Sequence, residues 1–369
     1  MAVETAPRFL FVPVTGPGGA GEYHRSLAVA RGLERRWPGC RIRFVLNRAA
    51  PYAAQAPYEA LHIDDSPTRA SAAVVEIIRA ERPAVVVFDS SGRLAQYRAA
   101  REAGARVVYV SSRFKTRWKG FRWRRMRALD QHWIAQPRFL GGAPTAWERL
   151  KMRALGCPEV VVLEVLHEPV ETAATRHLQA RLGLDPGHYV VLCPGGGGDF
   201  GHAADAPAVF FDAARRLAQT ASMAIVAVLG PRAVQQAAPV AHAPGVTVLA
   251  ALPNGELLGL LREAAVVVVN GGSLLLQAMA QRVPIVAAPI AGDQADRIRR
   301  CVRQGYLQAS ALDAGALASG CSALLDDGRA RDALRARLGD LDLRNGIELA
   351  ADAVARLLER PPAGAPVPA

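Results

Sequence analysis

A chain of 369 residues with a formal charge of +12 is too long for one ordinary core and fits two domains of typical size. Its 51% hydrophobic content excludes a disordered chain, and no run reaches the roughly 18 apolar residues of a membrane span. The charge points to an anionic partner. The apolar run at 9–14 is a strand's length and lacks the small-residue cleavage site of a signal peptide, so a cytoplasmic protein is expected. Cys40, Cys157, Cys193, Cys301 and Cys321 form neither a C-x-x-C pair nor a disulfide framework, and read as buried thiols.

In chain order, residues 8–14, 41–46, 84–88, 106–110 and 132–135 read as strands, with helical spacing of apolar residues at 22–36, 69–81 and 92–103 between them. After Glu168-Pro169 breaks the pattern, the grammar repeats. Strands are expected at 188–193, 223–229, 246–249, 265–269 and 284–288, and helices at 204–219, 255–263, 274–281 and 294–304. Strands alternating with helices imply parallel pairing and right-handed crossovers. The expected architecture is two Rossmann-like, doubly wound domains: an acceptor domain at 1–168, a donor domain at 169–360, and a Pro/Ala/Gly/Val tail at 361–369. Each should bind ligand beyond the carboxyl ends of its strands, and the two such edges should face a central cleft.

Three glycine-bearing turns fall at those ends. The first, Thr15-Gly16-Pro17-Gly18-Gly19-Ala20-Gly21-Glu22-Tyr23-His24, runs from a strand into a helix, where backbone N–H groups favour anions. Glu22 and Tyr23 exclude a P-loop, and Asn47 and Arg48 stand where a dinucleotide fold would place an acid. A tight turn without ligand is the alternative. The second is Pro194-Gly195-Gly196-Gly197-Gly198-Asp199, whose run of glycines suits close approach to a ligand. The third, Asn270-Gly271-Gly272-Ser273, again ends a strand and opens a helix that carries Gln277; Pro284, Pro289 and Asp293-Gln294 follow.

This combination resembles GT-B glycosyltransferases of family 28, typified by the transferase that adds N-acetylglucosamine to lipid-linked muramyl peptide, and the related nucleotide-sugar hydrolases of pseudaminic acid synthesis. The resemblance is strongest over 253–305, and 21–30 is similar to the family's Gly-His opening. It implies inverting, metal-independent sugar transfer from a nucleotide diphosphate sugar, with a UDP-sugar as the expected co-substrate and no further cofactor. It also implies that Gly196, Gly197, Gly271, Gly272 and Ser273 lie near the diphosphate, with Gln277 at the ribose and Asp293 and Gln294 at the sugar. Gln277 stands where the family carries Glu, and Glu22 where it carries His, with His24 two residues on. Either Glu22 or His24 would serve as base, or Glu22 is simply a helix-start acid; Asp293 could equally be an N-cap. A hydrolase and a non-catalytic nucleotide-sugar-binding protein are the alternatives to transfer.

Residues 113–127 contain no acid and interleave Arg117, Trp118, Arg122, Trp123, Arg124 and Arg125. With Gly18 and Gly19 they are expected to meet an acidic or lipid-linked acceptor, or anionic lipids of the inner leaflet. A solvated helix face is the alternative, and no nucleic-acid module accompanies the segment.

Overall fold

The computed structural model describes residues 6–16, 21–195, 205–230 and 244–359. The chain divides into two compact units. The first runs through Leu166 and takes the chain back from Arg344, and the second is His167–Leu343.

In the first unit, strands β1 (Arg8–Pro13), β2 (Arg41–Asn47), β3 (Glu59–Ile63), β4 (Val85–Asp89), β5 (Arg106–Ser111), β6 (Gln131–Ile134) and β7 (Glu159–Val162) form one sheet in the order β3-β2-β1-β4-β5-β6-β7. Every pairing is parallel. The central β4 is buried at all its positions, as a strand covered on both faces must be. Helices α1 (Gly21–Arg36), α2 (Ser71–Glu81), α3 (Leu94–Glu102), α4 (Phe114–Gly120), α5 (Trp123–Met126) and α6 (Ala146–Leu155) belong to this unit. The strand order reverses direction between β1 and β4, so the sheet's crevice opens at their carboxyl ends.

The second unit repeats the plan. Strands β8 (Tyr189–Cys193), β9 (Ala224–Val228), β10 (Val246–Leu249), β11 (Val266–Asn270), β12 (Ile285–Ala288) and β13 (Gln308–Ala309) lie in the order β10-β9-β8-β11-β12-β13, again parallel. Its helices are α7 (Thr172–Leu182), α8 (Ala206–Thr220), α9 (Asn254–Arg262), α10 (Ser273–Ala280), α11 (Gly292–Arg303), α12 (Ala314–Asp326) and α13 (Gly328–Gly339). Here the switch point falls between β8 and β11. Val266–Asn270 is buried throughout, as its β-branched run requires.

The last helix, α14 (Gly346–Glu359), corrects the expected domain boundary. Sequence order assigns it to the second domain, but its apolar face joins the first unit's core. Ala350, Val354 and Leu357 pack with Phe9, Leu33 and Trp133. Gly32 of α1 lies so close to the Ile347 side chain that a Cβ there would strike it. The Gln131 amide donates to the Ala353 carbonyl at 3.0 Å. Of the cysteines, Cys193, Cys301 and Cys321 are buried, whereas Cys40 and Cys157 are only partly so.

One buried side chain makes the first unit sensitive to acid. His132 on β6 is fully enclosed between the Tyr109 and Phe121 rings, and its Nε2 lies 2.8 Å from Ser111 Oγ. Its Nδ1 has no hydrogen-bond partner among the described residues. Burial, reinforced by the Arg117 charge, pushes its pKa down to about 3 from 6.5. Between those values the unfolded chain binds a proton that the folded one refuses, so stability rises with pH in that window. Urea unfolding should therefore show stability falling from pH 7 toward pH 4, with His132 contributing up to about 1.4 kcal/mol per pH unit. His132→Gln should flatten the slope; an unchanged slope would show that His132 does not titrate this way.

Candidate functional site

In the second unit, three loops meet at the carboxyl ends of β8, β11 and β12, and two carboxamides hold them. Asn270, the last residue of β11, is 8% exposed. Its Oδ1 accepts the Gly272 N–H at 2.7 Å, and its Nδ2 donates to the Pro194 carbonyl after β8. Gln294, in the first turn of α11, is also 8% exposed. Its Oε1 accepts the Gly271 N–H at 3.1 Å and the Ile290 N–H at 2.9 Å. The Arg297 guanidinium donates to the Gly271 carbonyl.

This wiring limits what the two glycines can offer a ligand. The Gly271 and Gly272 amides, expected to meet a diphosphate, already serve Gln294 and Asn270. The two glycines are also required by the protein itself. A Cβ on Gly271 would lie 2.8 Å from Gln294 Cβ, and one on Gly272 would lie 2.7 Å from Asn270 Oδ1. Among the described residues no side chain caps α10, whose N-cap is Gly272, so its first-turn amides, Ser273 to Leu275, are the donors that the helix start offers. Ser273 is exposed.

Gln277 lies one turn further along α10, half-buried, where its Oε1 accepts from Asn254 Nδ2 at 3.3 Å. Asn254 Oδ1 in turn accepts the Glu168 N–H at 3.2 Å. The N-cap of α11 is Ala291, so Asp293 is the helix's second residue and not its cap. Gly196 and Gly197, like Gly18 and Gly19, lie outside the described residues; Gly195 just before them takes φ +83°.

At the first unit's crevice, Asp89 ends β4 and is 1% exposed. Arg25 grips it with two donors, Nε to Oδ2 at 2.8 Å and Nη2 to Oδ1 at 2.6 Å, fixing the start of α1 against the sheet. Desolvation raises the Asp89 carboxyl, and the Arg25 charge opposes that rise. Glu22 is half-buried and its charge is felt by this pair. His24, two residues on, is exposed beside Tyr23 and Tyr52, whose rings stack at 4.2 Å. Residues two apart on a helix do not share a face, so Glu22 and His24 are alternatives and not a dyad. Desolvation of the ring and the Arg31 charge lower the His24 pKa from its usual value.

The basic segment folds as α4 and α5, and its arginines divide. Arg117 turns inward: it donates to Glu148 at 3.1 and 2.5 Å and to the Gly141 and Ala143 carbonyls. Arg125 donates to the Tyr97 hydroxyl at 3.3 Å and to the Gly92 carbonyl at 3.2 Å, over the Tyr97 and Tyr109 rings. Both were expected to face a partner; the structure uses them to tie the segment down. Trp118, Trp123, Arg122 and Arg124 are exposed. From α6 come Trp147 and Leu150, exposed by 60% and 54%, which the sequence reading missed. Lys151 joins the α5 and α6 faces, its Nζ 6.0 Å from the Trp123 ring and 5.4 Å from the Trp147 ring. Helical periodicity in α6 was the available signal: Trp147, Leu150 and Lys151 are spaced to share one face.

Among the described residues no group of three or more His, Cys, Asp or Glu side chains is placed to hold a metal ion, and no helix is long and apolar enough to cross a membrane.

No family model and no curated protein matches the chain. Solved structures do. The calicheamicin glycosyltransferase CalG4 is 18% identical, with 96% of this chain and 98% of that one covered and a TM-score of 0.62. MurG of Acinetobacter baumannii is 16% identical over 95% and 99%, with a TM-score of 0.62. A putative UDP-N-acetylglucosamine 2-epimerase of Listeria monocytogenes is 15% identical over 95% of each chain, with a TM-score of 0.58. Two parallel-sheet units of this topology, matched over nearly their full length, give the chain the GT-B fold.

Proposed function

We propose that the protein is an inverting glycosyltransferase whose second unit binds a UDP-sugar and whose first unit binds an acidic or lipid-linked acceptor. The observation that carries this reading is the uncapped start of α10 at the β8–β11 switch point. Amides of an unsatisfied helix start stabilise the negative charge that builds on a departing diphosphate. The names of structures sharing the fold, glycosyltransferases and an enzyme of UDP-N-acetylglucosamine, favour a sugar nucleotide as the ligand. Gln277, on the same helix, is assigned to the ribose.

In the proposed step, the acceptor hydroxyl gives its proton to Glu22 or His24 and its oxygen attacks the anomeric carbon. The bond from that carbon to the diphosphate oxygen breaks, and UDP leaves with the bonding pair. The helix start meets the charge on the diphosphate, so turnover is expected to persist in EDTA.

The exposed Trp118, Trp123, Trp147 and Leu150, with the exposed Arg122 and Arg124, are assigned to the lipid part of the acceptor or to anionic inner-leaflet lipids. Indole rings suit headgroup depth while guanidinium groups meet phosphate.

Incubation with a panel of UDP-sugars and candidate acceptors should release UDP only when an acceptor is present. Release without acceptor would identify a hydrolase, and binding without turnover a non-catalytic protein. Of Glu22→Gln and His24→Ala, the one that removes the base should cut kcat roughly a hundredfold while leaving UDP affinity unchanged. Full turnover in both variants would take the base away from α1.

Wild-type protein should bind anionic vesicles and release them as salt rises, because such attraction is screened over roughly 8 Å at physiological ionic strength. Replacing Trp118, Trp123 and Trp147 with Ala, or Arg122 and Arg124 with Ser, should abolish that binding and leave UDP affinity intact. A wild-type protein indifferent to vesicles would remove the membrane assignment.

A further inference from the structure

We infer that Asn270 and Gln294 form a carboxamide clamp that presents the start of α10 to the donor, which gives Gln294 a positioning role through its Oε1. The inference rests on the donor-site reading above, and it adds to the role that resemblance implies for Gln294.

The geometry leaves Gln294 little freedom. One oxygen serves two N–H groups from different loops, Gly271 after β11 and Ile290 after β12. Asn270 does the corresponding work between β11 and β8, through Gly272 and Pro194. Together the two side chains tie three loops at the switch point, and both are nearly enclosed. Neighbouring positions are shaped to admit them. Gly195 holds φ +83°, and a Cβ there would lie 2.6 Å from Asn270 Nδ2. A Cβ on Gly271 would crowd Gln294 and Ile298, both at 2.8 Å.

The residue type follows from the site's electrostatics. A clamp here needs an acceptor oxygen for backbone amides. A carboxylate would supply one, but it would also put a negative charge beside the place assigned to a diphosphate. A neutral carboxamide accepts without that repulsion. The Gly271 N–H is shared with the Ala288 carbonyl at 3.2 Å, so the Ile290 amide is the cleaner reporter of Gln294, and the Gly272 amide of Asn270.

The test combines amide hydrogen exchange with calorimetry on the full chain, using UDP and UDP-N-acetylglucosamine as probes. Gln294→Met keeps the length and removes the acceptor. It should speed exchange at Ile290 about tenfold or more and weaken both probes by the same factor, about tenfold. Gln294→Glu keeps an acceptor oxygen and should preserve the protection of Ile290, separating loss of the clamp from loss of folding. Asn270→Ala should expose the Gly272 amide to exchange and again weaken both probes equally.

If Gln294→Met spares UDP and weakens only UDP-N-acetylglucosamine, Gln294 touches the sugar and the inference is overturned. Unchanged exchange at Ile290 in that variant overturns it as well. If the wild type binds neither probe, the donor-site reading fails, whereas the exchange rates still decide whether the clamp exists.

Discussion

A parallel strand that turns into a helix sends its backbone amides toward the crevice at the sheet's carboxyl edge, and each must find a partner. Which amides are already engaged decides what the edge can bind. In the second unit the Gly271 and Gly272 amides are held by Gln294 and Asn270, whereas no side chain among the described residues caps the start of α10. The anion-binding potential is thereby shifted along the chain from the glycines to Ser273 and the residues after it. The same economy rules the first unit, where Arg25 neutralises the buried Asp89 and fixes the helix that carries Glu22 and His24.

The arginine-rich composition acts in two ways. Arg25, Arg117 and Arg125 work inside the fold, each with several acceptors in reach, because a planar guanidinium can satisfy two or more oxygens at once. Arg122 and Arg124 face outward next to exposed indoles. The net charge of +12 is therefore a poor guide to the binding surface until the structural arginines are set aside.

The alternation of strands and helices was legible because the central strands are apolar throughout, as burial on both faces demands. The strands missed by pattern, β3, β7 and β13, lie at sheet edges, where fewer positions are buried and the apolar run shortens. The return of α14 to the first unit was hidden because an amphipathic helix does not say which core it faces. At the candidate site, the glycine turns and helix starts could be read from sequence. The direction of side chains could not: Gln294 turns to the backbone, Arg117 turns inward, and Trp147 turns outward from a helix 29 positions beyond Trp118 in the same chain.

The most direct test of the account is to map backbone amide shifts while UDP is titrated into the isotopically labelled protein. The account predicts that the largest changes fall at Ser273, Leu274 and Leu275, at the start of α10. It predicts smaller changes at the engaged amides of Gly271 and Gly272, and little change at the Glu22–His24 turn. Saturable binding with its changes confined to the first unit's edge, or no binding at all, would contradict it.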